Sequence, residues 1–197
     1  QMSTRIKITE WYGTELARLL ATKITPVYPA FDDEYFVDAV DKNVAGKTYT
    51  QRIEGIAGEL HNFLPDDYTT AIPVLIQILG PENPNETGMF TSFYWLMPVG
   101  KFVEKYGLDE FDLSMQIIGE VTKRNTGEYA VRPFLRKYPA QGLKQMQAWA
   151  RSENVHLRRL ASEGLRPKVP WAPKVEEFIE NPQPVFQVLE TLKEDPV

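Results

Sequence analysis

The chain has no cysteine among its 197 residues. That excludes a disulfide framework and any metal site built on thiolates. Imidazole is almost as scarce: His61 and His156 are the only histidines, far apart in sequence, which argues against a zinc site. No uninterrupted apolar run approaches the roughly 20 residues that a membrane span needs. Arg5, Lys7 and Glu10 interrupt the N-terminal stretch and no apolar segment follows them, so nothing there reads as a signal peptide. Strand patterns are missing too. The expectation is a soluble, intracellular, cytoplasmic protein with no membrane partner and no metal.

What is present suffices for a substantial core. Hydrophobic residues make up 43% and aromatics 12%, in a length suited to one domain or one compact array of repeats. Net charge is −5, which by itself argues against nucleic acid. Its distribution argues the other way. Residues 122–168 hold eleven Lys/Arg against Glu128, Glu153 and Glu163, a local +8 that leaves −13 for the remainder. Such asymmetry is the footprint of a polyanion-binding face. The plainer alternative is a set of solvated helix faces with acidic neighbours in space.

Helical periodicity runs throughout. It predicts helices over Glu10–Ala21, Asp32–Val40 and Thr48–Leu60, and one from an Asp66 or Asp67 cap to Leu79. Gly80–Gly88 (GPENPNETG) is the longest breaker cluster and reads as a loop; it lacks the strand and lysine of a phosphate cradle. A helix from Ser92 to about Tyr106 follows. Asp109, Glu110 and Asp112 then form an acidic turn whose spacing suits helix capping better than metal binding. Beyond Phe111 the pattern becomes helix–turn–helix: Leu113–Lys123 with Glu128–Lys137, Ala140–Arg151 with Val155–Gly164, and Val175–Glu180 with a last helix to Leu192. Asn125, Asn154 and Asn181 mark the turns, 29 and 27 residues apart. Helix pairs of this kind bury their apolar faces by stacking. The fold expected is all-α, paired helices in a curved array.

The greatest concentration of charge is Asn154–Ala172, NVHLRRLASEGLRPKVPWA, where two adjacent arginines on a helix lead into a basic, proline-punctuated loop. With Leu79–Met115 (LGPENPNETGMFTSFYWLMPVGKFVEKYGLDEFDLSM), Thr122–Leu135 (TKRNTGEYAVRPFL) and Val27–Asp32 (VYPAFD), it resembles the HEAT-like-repeat alkylpurine DNA glycosylases of the AlkC and AlkD families, and the AlkC branch most. The resemblance covers nearly the whole chain. It implies a right-handed α-α superhelix of HEAT-like repeats, and residues 1–197 are expected to form a single such domain with no additional C-terminal domain. It also implies hydrolysis of the N-glycosidic bond of cationic N-alkylated purines, such as 3-methyladenine and 7-methylguanine, in duplex DNA. No metal or nucleotide cofactor and no obligate protein partner are implied.

A cationic purine is already a good leaving group, so the enzyme must stabilise an oxocarbenium-like sugar, position a water and hold the backbone. One carboxylate can serve the first two ends. Glu128 is the candidate, four residues after Arg124 and the sole acid between Lys123 and Arg151; the resemblance favours the same position. The simpler reading of Glu128 is an acid favoured at a helix N-terminus. Glu163 is second, but its spacing from Arg159 suits an intrahelical ion pair. Arg124, Arg132, Arg158, Arg159, Arg166 and Lys168 are the candidate phosphate contacts. Arg158 and Arg159 diverge by about 100° on a helix, so one of them is expected to face DNA. Trp95 and Trp171 are the candidate base contacts, through cation–π attraction on the order of 0.5–2 kcal/mol each; packing in the core is the alternative for both. Trp149 reads as core. A non-catalytic repeat protein that binds damaged or branched DNA, and a protein-binding solenoid, remain as rival functions.

Overall fold

A computed structural model describes residues 7–170 and 172–197. Among them are eleven α-helices and no strand, and no helix is long and apolar enough to cross a membrane. The chain forms two compact units. The first runs to Gly80 and adds Trp95–Phe102; the second comprises Pro81–Tyr94 and Val103–Val197.

The first unit is built on α1 (Thr14–Ile24), α2 (Asp33–Val44), α3 (Tyr49–Phe63), α4 (Tyr68–Gln77) and the start of α5 (Met97–Tyr106). Leu16, Leu20 and Ile24 recur every four residues on α1 and are buried, the stripe a core-facing helix needs. The helix begins later than its apolar pattern suggested. A 3-10 turn at Ile8–Trp11 precedes it, and Gly13 leaves helical geometry at φ −153° before α1 starts. Asp32 accepts the Tyr35 amide at 3.3 Å to open α2, and Thr48 with Gln51 forms a capping box for α3. α4 stops at Gln77, short of Leu79, and the chain turns at Gly80 with φ +70°, a left-handed value that glycine adopts without steric cost. Phe31, Phe36 and Phe63 form one aromatic cluster with centroids 4.9–6.2 Å apart.

The second unit contains α6 (Phe111–Thr122), α7 (Arg132–Lys137), α8 (Pro139–Ala150), α9 (Val155–Glu163), α10 (Glu176–Glu180) and α11 (Gln183–Leu192). Helix α8 packs against α7, α9 and α11, and α9 also packs against α6. Trp149 is buried and lies over Gly119. The helix expected over Glu128–Lys137 is shorter than predicted. Thr126 Oγ1 accepts the Glu128 amide at 3.2 Å, a local bond that competes with helix. Pro133 has no amide to donate, so the run through 128–131 stays a series of turns and α7 begins at Arg132. Asn154 caps α9, accepting the amides of His156 and Leu157. Asn125, at the corresponding place between α6 and α7, does not cap α7, whose N-cap is Val131.

Candidate functional site

The turn from α6 to α7 presents Glu128, and glycine lets it do so. A Cβ on Gly127 would lie 2.5 Å from Thr122 Oγ1 and 2.7 Å from Ile118 Cγ2, with Leu160 Cδ2 at 3.1 Å. Only a residue without a side chain brings this backbone down onto α6 and α9. Glu128 then emerges half-buried beside the charged face of α9.

Among the described residues, the Glu128 carboxylate accepts no hydrogen bond and has no cation within 4.0 Å. Burial pushes its pKa up, and the charge of Glu163 adds to this; Arg166, Arg132 and Arg159 act in the opposite sense. Glu163, by contrast, is directly paired, with Arg159 Nε at 3.7 Å and Arg166 Nη2 at 3.7 Å. The second unit thus gathers two carboxylates and three guanidinium groups; Glu163 is paired twice, while Glu128, among the described residues, has no ion-pair partner.

The arginines divide into distinct roles. Arg159 donates to Asn125 O at 3.1 Å and approaches Met89 Sδ at 3.9 Å; burial lowers its pKa, yet an arginine stays charged. Arg158 diverges from it, donating to Asp195 Oδ2 at 2.5 Å and to the carbonyls of Ser152 and Glu153. Arg166 and Lys168 are exposed on the segment after α9. Arg124 is buried and turns back onto α6, donating to Glu120 O at 2.7 Å and to Glu120 Oε2 at 3.2 Å.

Arg132 requires a correction. Expected among the phosphate contacts, it is 0% exposed. Its guanidinium donates to the carbonyls of Pro173 at 2.9 Å, Arg166 at 2.9 Å, Pro167 at 3.1 Å and Gly164 at 3.4 Å. Those bonds tie α7 to the basic segment after α9 from the inside, and leave no donor face for DNA. Trp95 is also buried, within the first unit, and the Lys23 ammonium sits 4.5 Å from its ring centroid. Trp171 lies outside the described residues. No group of three or more His, Asp or Glu side chains converges to hold a metal among the described residues.

Asn125, read from sequence only as the marker of a turn, organises the site's edge. Its Nδ2 donates to Met89 O at 2.8 Å and Phe93 O at 3.1 Å. It is buried, and it anchors the 81–94 segment against the turn that carries Glu128. His156 Nε2 donates to Asn83 O at 3.2 Å in the same segment. That carbonyl can only accept, so Nε2 carries the proton, and burial lowers the ring's pKa. These partners are 32 to 73 residues apart in the chain, so no local pattern announces them.

No family model matches the chain. It is 32% identical over 189 residues to the uncharacterized protein YhaZ of Bacillus subtilis (strain 168), covering 95% of this chain and 50% of that one. It also superposes on the Pseudomonas fluorescens alkylpurine DNA glycosylase AlkC, solved bound to DNA containing an abasic site analog. That match has a TM-score of 0.83 and 30% identity, covering 96% of this chain and 51% of the other. The chain therefore spans about half the length of both relatives. Over that half the chain is AlkC-like: it shares the helical-repeat fold of AlkC along nearly its whole length, at 30% identity, and carries the sequence motifs described above.

Proposed function

We propose that this protein is an alkylpurine DNA glycosylase acting on cationic N-alkylated purines in duplex DNA, with Glu128 as its catalytic carboxylate. The observation that carries the reading is Glu128 itself: half-buried, without an ion-pair partner among the described residues, and set beside a cluster of arginines. The similarity to a glycosylase solved with abasic-site DNA supports it.

In the reaction the C1′–N9 bond breaks heterolytically and its electron pair leaves with the purine, neutralising the alkyl-induced positive charge. Positive charge passes to the sugar. A carboxylate about 4 Å from that centre, at an effective dielectric of about 20, stabilises it by about 4 kcal/mol, roughly a thousandfold in rate. The same carboxylate orients a water toward C1′ and takes its proton as the new C–O bond forms. Because Glu128 is not neutralised by a direct ion pair, its charge remains available to the sugar. Arg159, Arg166 and Lys168 are assigned to the backbone phosphates, which makes binding fall steeply with salt. Arg158 serves there only if a phosphate displaces Asp195.

The test is release of 3-methyladenine or 7-methylguanine from methylated duplex DNA, with Glu128→Gln beside the wild type. The expected result is release by the wild type and a loss on the order of 10²–10³-fold in the variant, with salt-sensitive DNA binding preserved. Binding without release by the wild type refutes catalysis and leaves a damage-binding repeat protein. Failure to bind DNA at low salt refutes the DNA reading altogether and leaves a protein-binding solenoid.

A further inference from the structure

The tip of the 81–94 segment carries an exposed aromatic ring. Phe90 is 43% exposed there, beside the half-buried Met89. An exposed phenylalanine on a loose loop is unremarkable, because apolar side chains commonly reach the surface. This one is on a fixed loop. The carbonyls on either side of it, Met89 O and Phe93 O, are both held by the buried Asn125 amide. The amides of Thr91 and Ser92 close the tip onto Gly88 O at 3.2 and 2.9 Å, and Gly88 makes the turn with φ +87°. At the base of the segment, Asn83 donates its amide to Lys123 O at 3.0 Å and accepts from His156.

Interior groups therefore hold this tip while its ring faces water. Met89 Sδ lies 3.9 Å from the Arg159 guanidinium, so the apolar tip abuts the cationic edge of the Glu128 cluster. Asn125, its anchor, is three positions before Glu128. A rigid aromatic face next to a phosphate-binding cation is the pairing that holds nucleic-acid bases: the ring stacks, the cation fixes the strand. Preorganisation means little ordering cost remains when the ligand arrives.

We propose that Phe90, backed by Met89, is a base-stacking contact, its ring packing against an unstacked nucleobase face in the DNA strand held by Arg159. The inference rests on the DNA reading above and adds an aromatic contact supplied by the same unit as Glu128. It differs from the phosphate contacts in what it responds to. Stacking discriminates a distorted duplex, where a base face is open, from an intact one, and it involves no released counterion.

The experiment compares wild type, Phe90→Ala, Phe90→Leu and Phe90→Tyr for binding to a duplex that carries an abasic-site analogue with 2-aminopurine in the neighbouring position. An intact duplex of the same sequence is the control. Phe90→Ala is expected to weaken abasic-site binding by roughly 5- to 150-fold and to abolish the change in 2-aminopurine fluorescence. The slope of log K against log salt stays that of the wild type. Phe90→Tyr restores affinity and the fluorescence change; Phe90→Leu, which keeps apolar area but not the aromatic face, does not. Thermal melting of each variant at the wild-type temperature shows that the surface substitution leaves the fold intact. Should Phe90→Ala bind abasic DNA within about twofold of wild type and give the same fluorescence change, the stacking assignment is wrong while the glycosylase reading stands. Equal rescue by leucine and tyrosine also overturns stacking. A wild type that binds neither duplex overturns both.

Discussion

Replacing Arg132 by methionine removes a guanidinium from the interior and leaves the carbonyls of Gly164, Arg166, Pro167 and Pro173 without the donor that now reaches each at 2.9–3.4 Å. Methionine fills much of the arginine stem's volume, so the loss is mainly polar. Each bond from a charged donor is worth about 1.5–3 kcal/mol net, but four cannot simply be added, because the buried cation itself carries a desolvation cost. Leaving a buried acceptor without its donor costs about 1–3 kcal/mol; with two or three of the four carbonyls unmet, and the cation's desolvation cost relieved, the net loss is about 3–5 kcal/mol. In a chain of this size each kcal/mol moves Tm by about 2–4 °C, so Arg132→Met should melt about 6–20 °C below wild type. Arg132→Lys should fall between, since an ammonium has no planar fork with which to reach several carbonyls. Circular dichroism melting provides the first readout. Limited proteolysis across residues 164–174 provides the second, with the variant expected to be cut there sooner. A variant that melts within about 2 °C of wild type, while its DNA-binding salt slope drops by about one, would refute the interior role and restore Arg132 to the phosphate contacts.

Glu128 gives a pH prediction with a definite sign. Burial raises its pKa and the chemistry needs the carboxylate, so the acid limb of base release should turn down above the ordinary glutamate range, near 4.5. A limb at or below that range contradicts the assignment. The same shift means the native state holds this proton more tightly than the unfolded chain. Its stabilisation is fully present below the unfolded pKa and is lost as pH rises through the folded one. Glu128→Gln should therefore melt higher than wild type at pH 7 but not at pH 4, and a lower Tm at pH 7 would argue for a structural role. Gly127→Ala forces a Cβ to 2.5 Å from Thr122 Oγ1 and 2.7 Å from Ile118 Cγ2. Overpacking of this kind costs about 1–3 kcal/mol, read as a lower urea midpoint together with loss of base release; an unchanged midpoint would show that the turn does not need its close approach.

The sequence by itself determined the all-α class and the paired-helix pattern, because an apolar repeat every three or four residues has one economical burial, and because prolines, glycines and caps such as Asp32, Thr48 and Asn154 punctuate the chain locally. It also pointed to the family and to a basic C-terminal region, since motif and net charge are additive properties of the residues. Tertiary structure alone decided which charges are available. Arg124, Arg132, Arg158 and Arg159 look alike in sequence, but Arg132 is enclosed by four carbonyls from 32 to 41 residues away, Arg124 folds back on Glu120, and Arg158 is held by Asp195. Only the fold shows Glu128, among the described residues, without an ion-pair partner while Glu163 is paired twice. It also places Asn125 under the loop that displays Phe90. A guanidinium's role depends on the acceptors that surround it in space, and those acceptors come from distant parts of the chain.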